Sequence, residues 1–292
     1  MKILMSGATG FVGSYLVPNL VRSGYEILEI SRNMDKSLKI NGSLTKKILV
    51  SDPDFKSKIS LFKPEIVIHL ASYITSSDEF QEINELLQSN IYFFSKILDA
   101  VSKTNLKIFI NTGTFAEYFN GDDKFKPAYL YAATKTASRV ILDYYSAAYE
   151  FKQTTVVPYT IYGGEDSREK IIDIIYNSSK KIKEIDLSPG NQVLDFIHIN
   201  DVTDFYITLI KNIDKLKNKS EFKLGTGIGH SLRDLAKLIE EICNVKTKIN
   251  WGGIEYRKLD VMYAVADTKI NKNTLNWSSK ISLREGLQNY FE

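Results

Sequence analysis

Three observations in this sequence predict an α/β fold, a doubly wound parallel sheet with a smaller C-terminal cap. Short apolar runs alternate with longer helical patterns through roughly the first 160 residues. The first run breaks at once into glycines spaced Gly7-x-x-Gly10-x-x-Gly13. The second half then loses that regular alternation, with no long linker to set it apart.

Each element has its own signal. Ile3–Ser6 is a short apolar strand, and Phe11–Ser23 is helical up to Gly24, a good stop. Pro18 lies inside that helix and should cost it a backbone bond or kink it. Glu26–Ser31 is the next strand and Lys47–Val50 a weaker one. Ile66–Leu70 and Lys107–Asn111 are strands of the buried type, flanked by helical stretches Asn90–Lys103 and Tyr131–Phe151. Thr154–Pro158 is a further strand. Strands buried on both faces read as continuous apolar runs, as these do. Beyond Gly163-Gly164 a polar, lysine-rich stretch leads to a turn at Ser188–Asn191, a strand at Leu194–Ile199 and a helix from about Asp201 to Asn212. Ser231–Cys243 is amphipathic, with Ser231 placed to cap it.

Composition narrows the function. The 292 residues are 43% hydrophobic and 25% charged, ordinary for a globular chain and too apolar for a disordered one. Thirty-eight basic residues against 35 acidic ones leave +3, too even for a nucleic-acid or membrane-surface binder. One cysteine, Cys243, excludes an intrachain disulfide, and with three histidines it argues against a metal site. No apolar run reaches the ~18 residues of a membrane span and no signal-peptide core follows Met1, so a cytoplasmic setting is the expectation.

The glycine spacing has a physical purpose. Gly7 turns the chain off the strand, Gly10 lets backbone approach a pyrophosphate, and Gly13 brings the helix close to the sheet. The helix start then offers free N–H groups to the anion. Together with Thr9, Phe11 and Val12 these residues form a candidate dinucleotide loop. An acidic residue at the end of the second strand would select NAD(H). Here the strand ends at Ser31-Arg32, which suits a 2′-phosphate and favours NADP(H) over NAD(H). Two alternatives stay open: Arg32 as a solvated loop residue, and Glu29 reaching the ribose. Asp52 is placed either to bond adenine or to cap the next turn.

Tyr131-x-x-x-Lys135 places a phenol and an ammonium on one helix face, just after a hydroxyl-rich strand end, Thr112-Gly113-Thr114. Tyr92/Lys96 and Tyr176/Lys180 share the spacing but lack that context. An ammonium beside a phenol should lower its proton affinity, and a threonine hydroxyl can hold a carbonyl oxygen. The set makes a general acid for a carbonyl beside a hydride donor.

With these marks the chain resembles the extended short-chain dehydrogenase/reductases of the nucleotide-sugar epimerase/dehydratase type. Further marks are His69-Leu70-Ala71, Asn90 opening a helix, Pro158-x-x-x-Tyr162-Gly163, Asp195–Val202, Gly225-Thr226-Gly227 and Arg257 before Ala266-Asp267. The resemblance implies a Rossmann-type domain over 1–162, with segments at about 194–215 and 260–270 returning to it. It leaves 163–193 and 220–292 mainly to a substrate-binding cap. It implies Thr114, Tyr131 and Lys135 as catalytic residues. It lays the cofactor also against Leu70, Ala71, Ser72, Asn90, Thr112 and Pro158, and puts Arg257 on the substrate's diphosphate. It also implies a homodimer joined through a four-helix bundle of Asn90–Lys103, Tyr131–Phe151 and their copies; burial of those helices within one chain is the alternative. Val157 and Leu194 stand where the family usually has arginine.

The same comparison separates reactions. A 4,6-dehydratase carries an Asp-Glu pair after the threonine, where this chain has Phe115-Ala116. A 3,5-epimerising reductase needs extra cysteine or histidine in the pocket, but His69 and His198 read as core residues and His230 as a helix cap. Reduction of a keto group at C4, or 4-epimerisation, remains. Thr112–Thr114, Leu130–Lys135, Gly164–Lys170 and Ser188–Gln192 are similar to CDP-abequose- and CDP-paratose-synthase-type 4-keto-deoxyhexose reductases of surface-polysaccharide synthesis. That similarity implies Arg168 and Lys170 on the nucleotide-sugar substrate, with a solvated charged loop as the alternative. A catalytically idle dinucleotide-binding protein is the third reading, since fold does not fix function.

Overall fold

The computed structural model describes residues 1–77, 79–119, 124–166 and 168–292. The first half runs β1 (Lys2–Ser6), α1 (Phe11–Arg22), β2 (Glu26–Ser31), α2 (Met34–Asn41), β3 (Lys46–Leu49), α3 (Phe55–Phe62), β4 (Ile66–His69), α4 (Phe80–Leu87), α5 (Phe93–Val101), β5 (Ile108–Thr112), α6 (Leu130–Tyr149) and β6 (Lys152–Pro158). The second half runs β7 (Thr160–Tyr162), α7 (Ile171–Ser178), β8 (Ile185–Leu187), β9 (Val193–His198), α8 (Ile199–Lys211), β10 (Ser220–Leu224), β11 (Gly229–Ser231), α9 (Leu232–Cys243), β12 (Ile249–Trp251), β13 (Tyr263–Ala264), α10 (Lys269–Leu275) and α11 (Leu283–Phe291).

Seven strands form one sheet in the order β10-β6-β5-β4-β1-β2-β3, and every pairing in it is parallel. Strand order reverses between β1 and β4, which opens a crevice at their carboxyl ends. The two-residue period of a strand divides the core. Ile3, Met5, Ile66, Ile68, Ile108 and Ile110 pack with residues of α1 and α8 on one face. Leu4, Val67 and Phe109 pack with α3, α5 and α6 on the other. This is a Rossmann-like, doubly wound sheet.

The helix after the glycine loop runs through Pro18 and stops at Ser23. Gly24, at φ +83°, closes it. Gly24 N donates to Val21 O at 2.9 Å and Tyr25 N to Leu20 O at 3.2 Å, the paired bonds of a Schellman stop.

A smaller sheet orders β11-β9-β13, with β7 also paired to β9, and a separate β8–β12 pair lies beside it. Residues of α7, α9 and α11 pack there around Tyr162 and Phe196. This corrects the expected boundaries in two places. Ser220–Leu224, assigned to the cap, is the edge strand of the large sheet, bonded to β6. The strand in 194–215, assigned to the large domain, belongs to the small sheet, and only α8 behind it joins the large core. A period-two run fits either sheet; hydrogen-bond partners decide which. His198, and not His230, caps a helix: its Nδ1 accepts from Asn200 N at 3.2 Å. Ser231 caps α9, accepting from Asp234 N at 3.0 Å. Ser167, within the Gly164–Lys170 stretch, lies outside the described residues. No helix among the described residues is long and apolar enough to cross a membrane.

Candidate active site

A cleft of about 1060 Å³ lies across the carboxyl ends of the large sheet. Its floor is the glycine loop. Gly7 sits at φ +76°, and a Cβ there would stand 2.6 Å from Ala71 N. A Cβ on Gly13 would stand 2.2 Å from Gly7 O, so α1 approaches only because that residue lacks one. No side chain caps α1 at Gly10 and no acidic residue enters its first turn. The first N–H groups of a twelve-residue helix therefore face the cleft beside Thr9, Phe11 and Val12. That is the donor set a pyrophosphate requires.

Beside the loop, His69 is fully buried, with Nδ1 2.7 Å from Ser6 Oγ. Burial, and then the nearby Lys135 charge, push it well below the usual histidine range, so it is a neutral strut. The same Ser6 oxygen accepts from Ala71 N at 3.4 Å, which holds Leu70, Ala71 and Ser72 along the wall.

Ser31, Arg32, Asn33 and Lys36 line the cleft at the end of β2. Ser31 Oγ donates to Asn33 O at 2.8 Å, folding the strand end into a turn, and Asn33 caps α2 by accepting from Lys36 N at 2.9 Å. Lys36 thereby joins Arg32 at the rim, a second cation that the sequence reading overlooked; its signal is the helix start at Asn33. Glu29 is turned away and wholly buried, with Oε2 accepting from Asn41 Nδ2 at 2.8 Å and Thr45 Oγ1 at 2.9 Å. Asp52 pairs with Lys58 at 2.7 Å and accepts from Asp54 N at 2.8 Å. It is not part of the cleft wall, so it takes the turn-capping alternative.

Asn90 does not open a helix. It lies in a π-helical turn, Gln88–Tyr92, that joins α4 to α5, and it is buried behind the wall. Its Oδ1 accepts from Ser72 Oγ at 3.0 Å and Tyr73 N at 2.9 Å. Its Nδ2 donates to Tyr73 O and to Thr134 Oγ1, each at 3.0 Å. It therefore acts at one remove, tying the Ser72 loop to α6. Thr112 and Pro158 line the cleft, and Thr112 Oγ1 is 3.1 Å from Tyr206 Oη.

Thr114, Tyr131 and Lys135 all line the same cleft. Thr114 Oγ1 accepts from Ala116 N at 3.3 Å, which leaves its proton free to donate. Burial pushes the Tyr131 phenol above its ordinary range, and the Ser72 hydroxyl and Arg168 charge only partly oppose it. The lowering expected from Lys135 is not found: Tyr129 and Glu117 add to the rise, and the phenol stands protonated. Burial lowers Lys135 to about 8, with Glu117 opposing and Arg139 adding to the shift.

Aromatic rings complete the wall, among them Tyr129 and Tyr159, which no sequence motif marks. Phe115 stacks on Tyr159 at 5.6 Å and Tyr129 on Tyr131 at 6.1 Å between centroids. Lys170 Nζ lies 3.2 Å over the Phe11 ring, donates to Ile161 O at 3.1 Å and pairs with Asp166 at 3.3 Å. Arg168 is exposed at the rim, 3.8 Å from Asp166. Both reach the cleft. Arg257 does not: it is exposed on the stretch before β13 and outside the cleft wall. Sequence order cannot report which way that stretch faces.

Among relatives, the CDP-abequose synthase of Yersinia pseudotuberculosis is 28% identical over 262 residues, 90% of this chain and 91% of that protein. That of Salmonella typhimurium is 26% identical over 300 residues, 98% and 96% of the two chains. Among solved structures, the UDP-glucuronic acid 4-epimerase of Bacillus cereus, in complex with UDP-glucuronic acid and NAD, superposes with a TM-score of 0.87 at 21% identity, covering 100% of this chain and 98% of that one. The profile of the NAD dependent epimerase/dehydratase family matches residues 3–225. With the glycine loop, the parallel sheet and that match in agreement, the chain belongs to the NAD dependent epimerase/dehydratase family.

Proposed function

We propose that the protein reduces the C4 keto group of a nucleotide-linked 4-keto-deoxyhexose with NADPH, in the making of a surface-polysaccharide sugar. One observation carries the reading: Thr114, Tyr131 and Lys135 share a cleft that Arg32 and Lys36 also line, while Glu29 at the end of β2 is buried on Asn41 and Thr45. Similarity to CDP-abequose synthases supports the substrate class.

NADPH, when bound, supplies the hydride that forms the new C–H bond at C4. Tyr131 gives its Oη proton to the carbonyl oxygen as that bond forms, so ketone, hydride and proton become an alcohol. A phenol whose proton affinity is raised by burial enters this step as an acid. Thr114 donates its free hydroxyl proton to the same oxygen and polarises it. Lys135 holds the cofactor ribose and stabilises the phenolate that remains. The first turn of α1 and the Gly7–Gly13 loop hold the pyrophosphate. Lys170 and Arg168 are the wall cations placed for the substrate's diphosphate.

Tyr131→Phe should bind NADPH normally and lose about 10²–10⁴ in turnover of a 4-keto sugar nucleotide. Undiminished turnover would overturn the assignment. A 4-epimerase is the runner-up, because the same three groups serve it. It recycles its hydride, so net NADPH consumption with 4-keto sugar nucleotides separates the two, and an idle binding protein consumes none. We propose further that two copies pair through α4–α5 and α6.

A further inference from the structure

Behind Thr114 lies a buried charge cluster that the mechanism above does not use. Glu117, wholly buried, follows Thr114 in a 3₁₀ turn, Phe115–Glu117. Its Oε1 accepts from Thr114 N at 2.9 Å, and its Oε2 lies 2.6 Å from Arg139 Nε. Arg139 also bonds Glu221 of β10, which accepts from Tyr118 Oη at 2.5 Å. The guanidinium is further fixed over the Phe125 ring at 5.1 Å. A Cβ on Gly113 would stand 2.6 Å from Arg139 Nη2 and 2.9 Å from Glu117 Oε1, so the chain beside Thr114 is shaped around the pair. Tyr131, Lys135 and Arg139 are spaced by four and share a face of α6.

We propose that Glu117 is a positioning residue: clamped by Arg139, it locks the Thr114 segment to the helix face that carries Tyr131 and Lys135, and it sets the charge balance of Lys135. The catalytic part rests on the reductase reading; the clamp and its charge do not. Among the described residues, the charges that bear on Lys135 are Glu117 from the turn after β5 and Arg139 from its own helix, with neutral His69 at the end of β4. Glu117 favours the ammonium, and Arg139 disfavours it.

Glu117→Gln keeps an oxygen for Thr114 N and removes the charge. The test reads the ¹⁵Nζ titration of Lys135, assigned with Lys135→Met, NADPH affinity by fluorescence, and single-turnover hydride transfer. The Lys135 midpoint should move below about 8 in Glu117→Gln. NADPH affinity should stay within about twofold, while hydride transfer slows about 10–100-fold. The double variant, Glu117→Gln with Arg139→Gln, should lose no more than the worse of the two single variants, since the two residues act as a unit. An unmoved Lys135 midpoint together with wild-type transfer, whatever the loss in melting temperature, reduces the cluster to scaffolding and overturns the proposal. A moved midpoint in an enzyme that consumes no NADPH with any 4-keto sugar nucleotide upholds the clamp and sinks the reductase reading alone.

Discussion

Arg32 and Lys135 show how far single side chains decide behaviour here. Arg32 and Lys36 stand at the cleft rim while Glu29 is consumed by Asn41 and Thr45. A 2′-phosphate would gain charge-assisted bonds there that a bare hydroxyl cannot. Arg32→Ala should therefore weaken NADPH binding about tenfold or more and leave NADH binding nearly unchanged. Equal losses for both would show that Arg32 does not read the phosphate. In the proposed mechanism Lys135 works as a cation, and burial pulls its pKa down to about 8. The reactive form is present below that value and is lost above it, so kcat/KM should fall as pH rises past about 8, and a profile flat to pH 10 would contradict the role. The Gly7–Gly13 loop and the Tyr131/Lys135 spacing were legible in the sequence because such arrangements need fixed residue types at fixed spacing, whereas Lys36 was not. Glu117 and Arg139 were not, since their pairing joins a turn to a helix 22 positions on and has no spacing rule.

Elements were legible where their period is unambiguous. The runs that became β1, β2, β4, β5 and β6 alternate between two buried faces, and the strand ends moved by only a residue or two. The helical stretch Asn90–Lys103 began too late: helical structure starts at Phe80 and passes through the π turn at Gln88–Tyr92. A π turn adds a residue and breaks the 3.6-residue rhythm that reveals a helix, and such turns favour functional sites. Here it presents Asn90 inward, where all its polar contacts are made by the Ser72 loop and α6. Asn90→Ala should leave Tyr73 N and O without partners and cost about 1–3 kcal/mol in urea unfolding. It should also raise the KM for NADPH, because Ser72 loses its anchor. A variant as stable as the parent would mean that water or a shift of the turn replaces the side chain.

For the whole molecule, the outer face of the α4–α6 layer carries an apolar stripe that nothing among the described residues covers. On α6, Ala137, Val140, Tyr144 and Ala148 recur at helical spacing and are all exposed, Val140 by 68% and Tyr144 by 66%. Leu87, exposed by 47%, and half-buried Ile91 continue the stripe on the neighbouring helical run. A continuous apolar stripe costs solubility unless something covers it. A two-fold axis would cover it with its own copy, making four helices, and a stable pair needs only about 800 Å² from each partner. Tyr131 and Lys135 occupy the first two turns of α6, before this stripe begins, so separating the copies need not disturb the proton-transfer pair directly. Val140→Glu with Tyr144→Glu would bury four like charges at such an interface. The pair should then run as a monomer in light scattering after gel filtration, melt several degrees lower, and still bind NADPH. A parent protein that is monomeric at tens of micromolar would remove the dimer, and a double variant that stays dimeric would place the contact on another face.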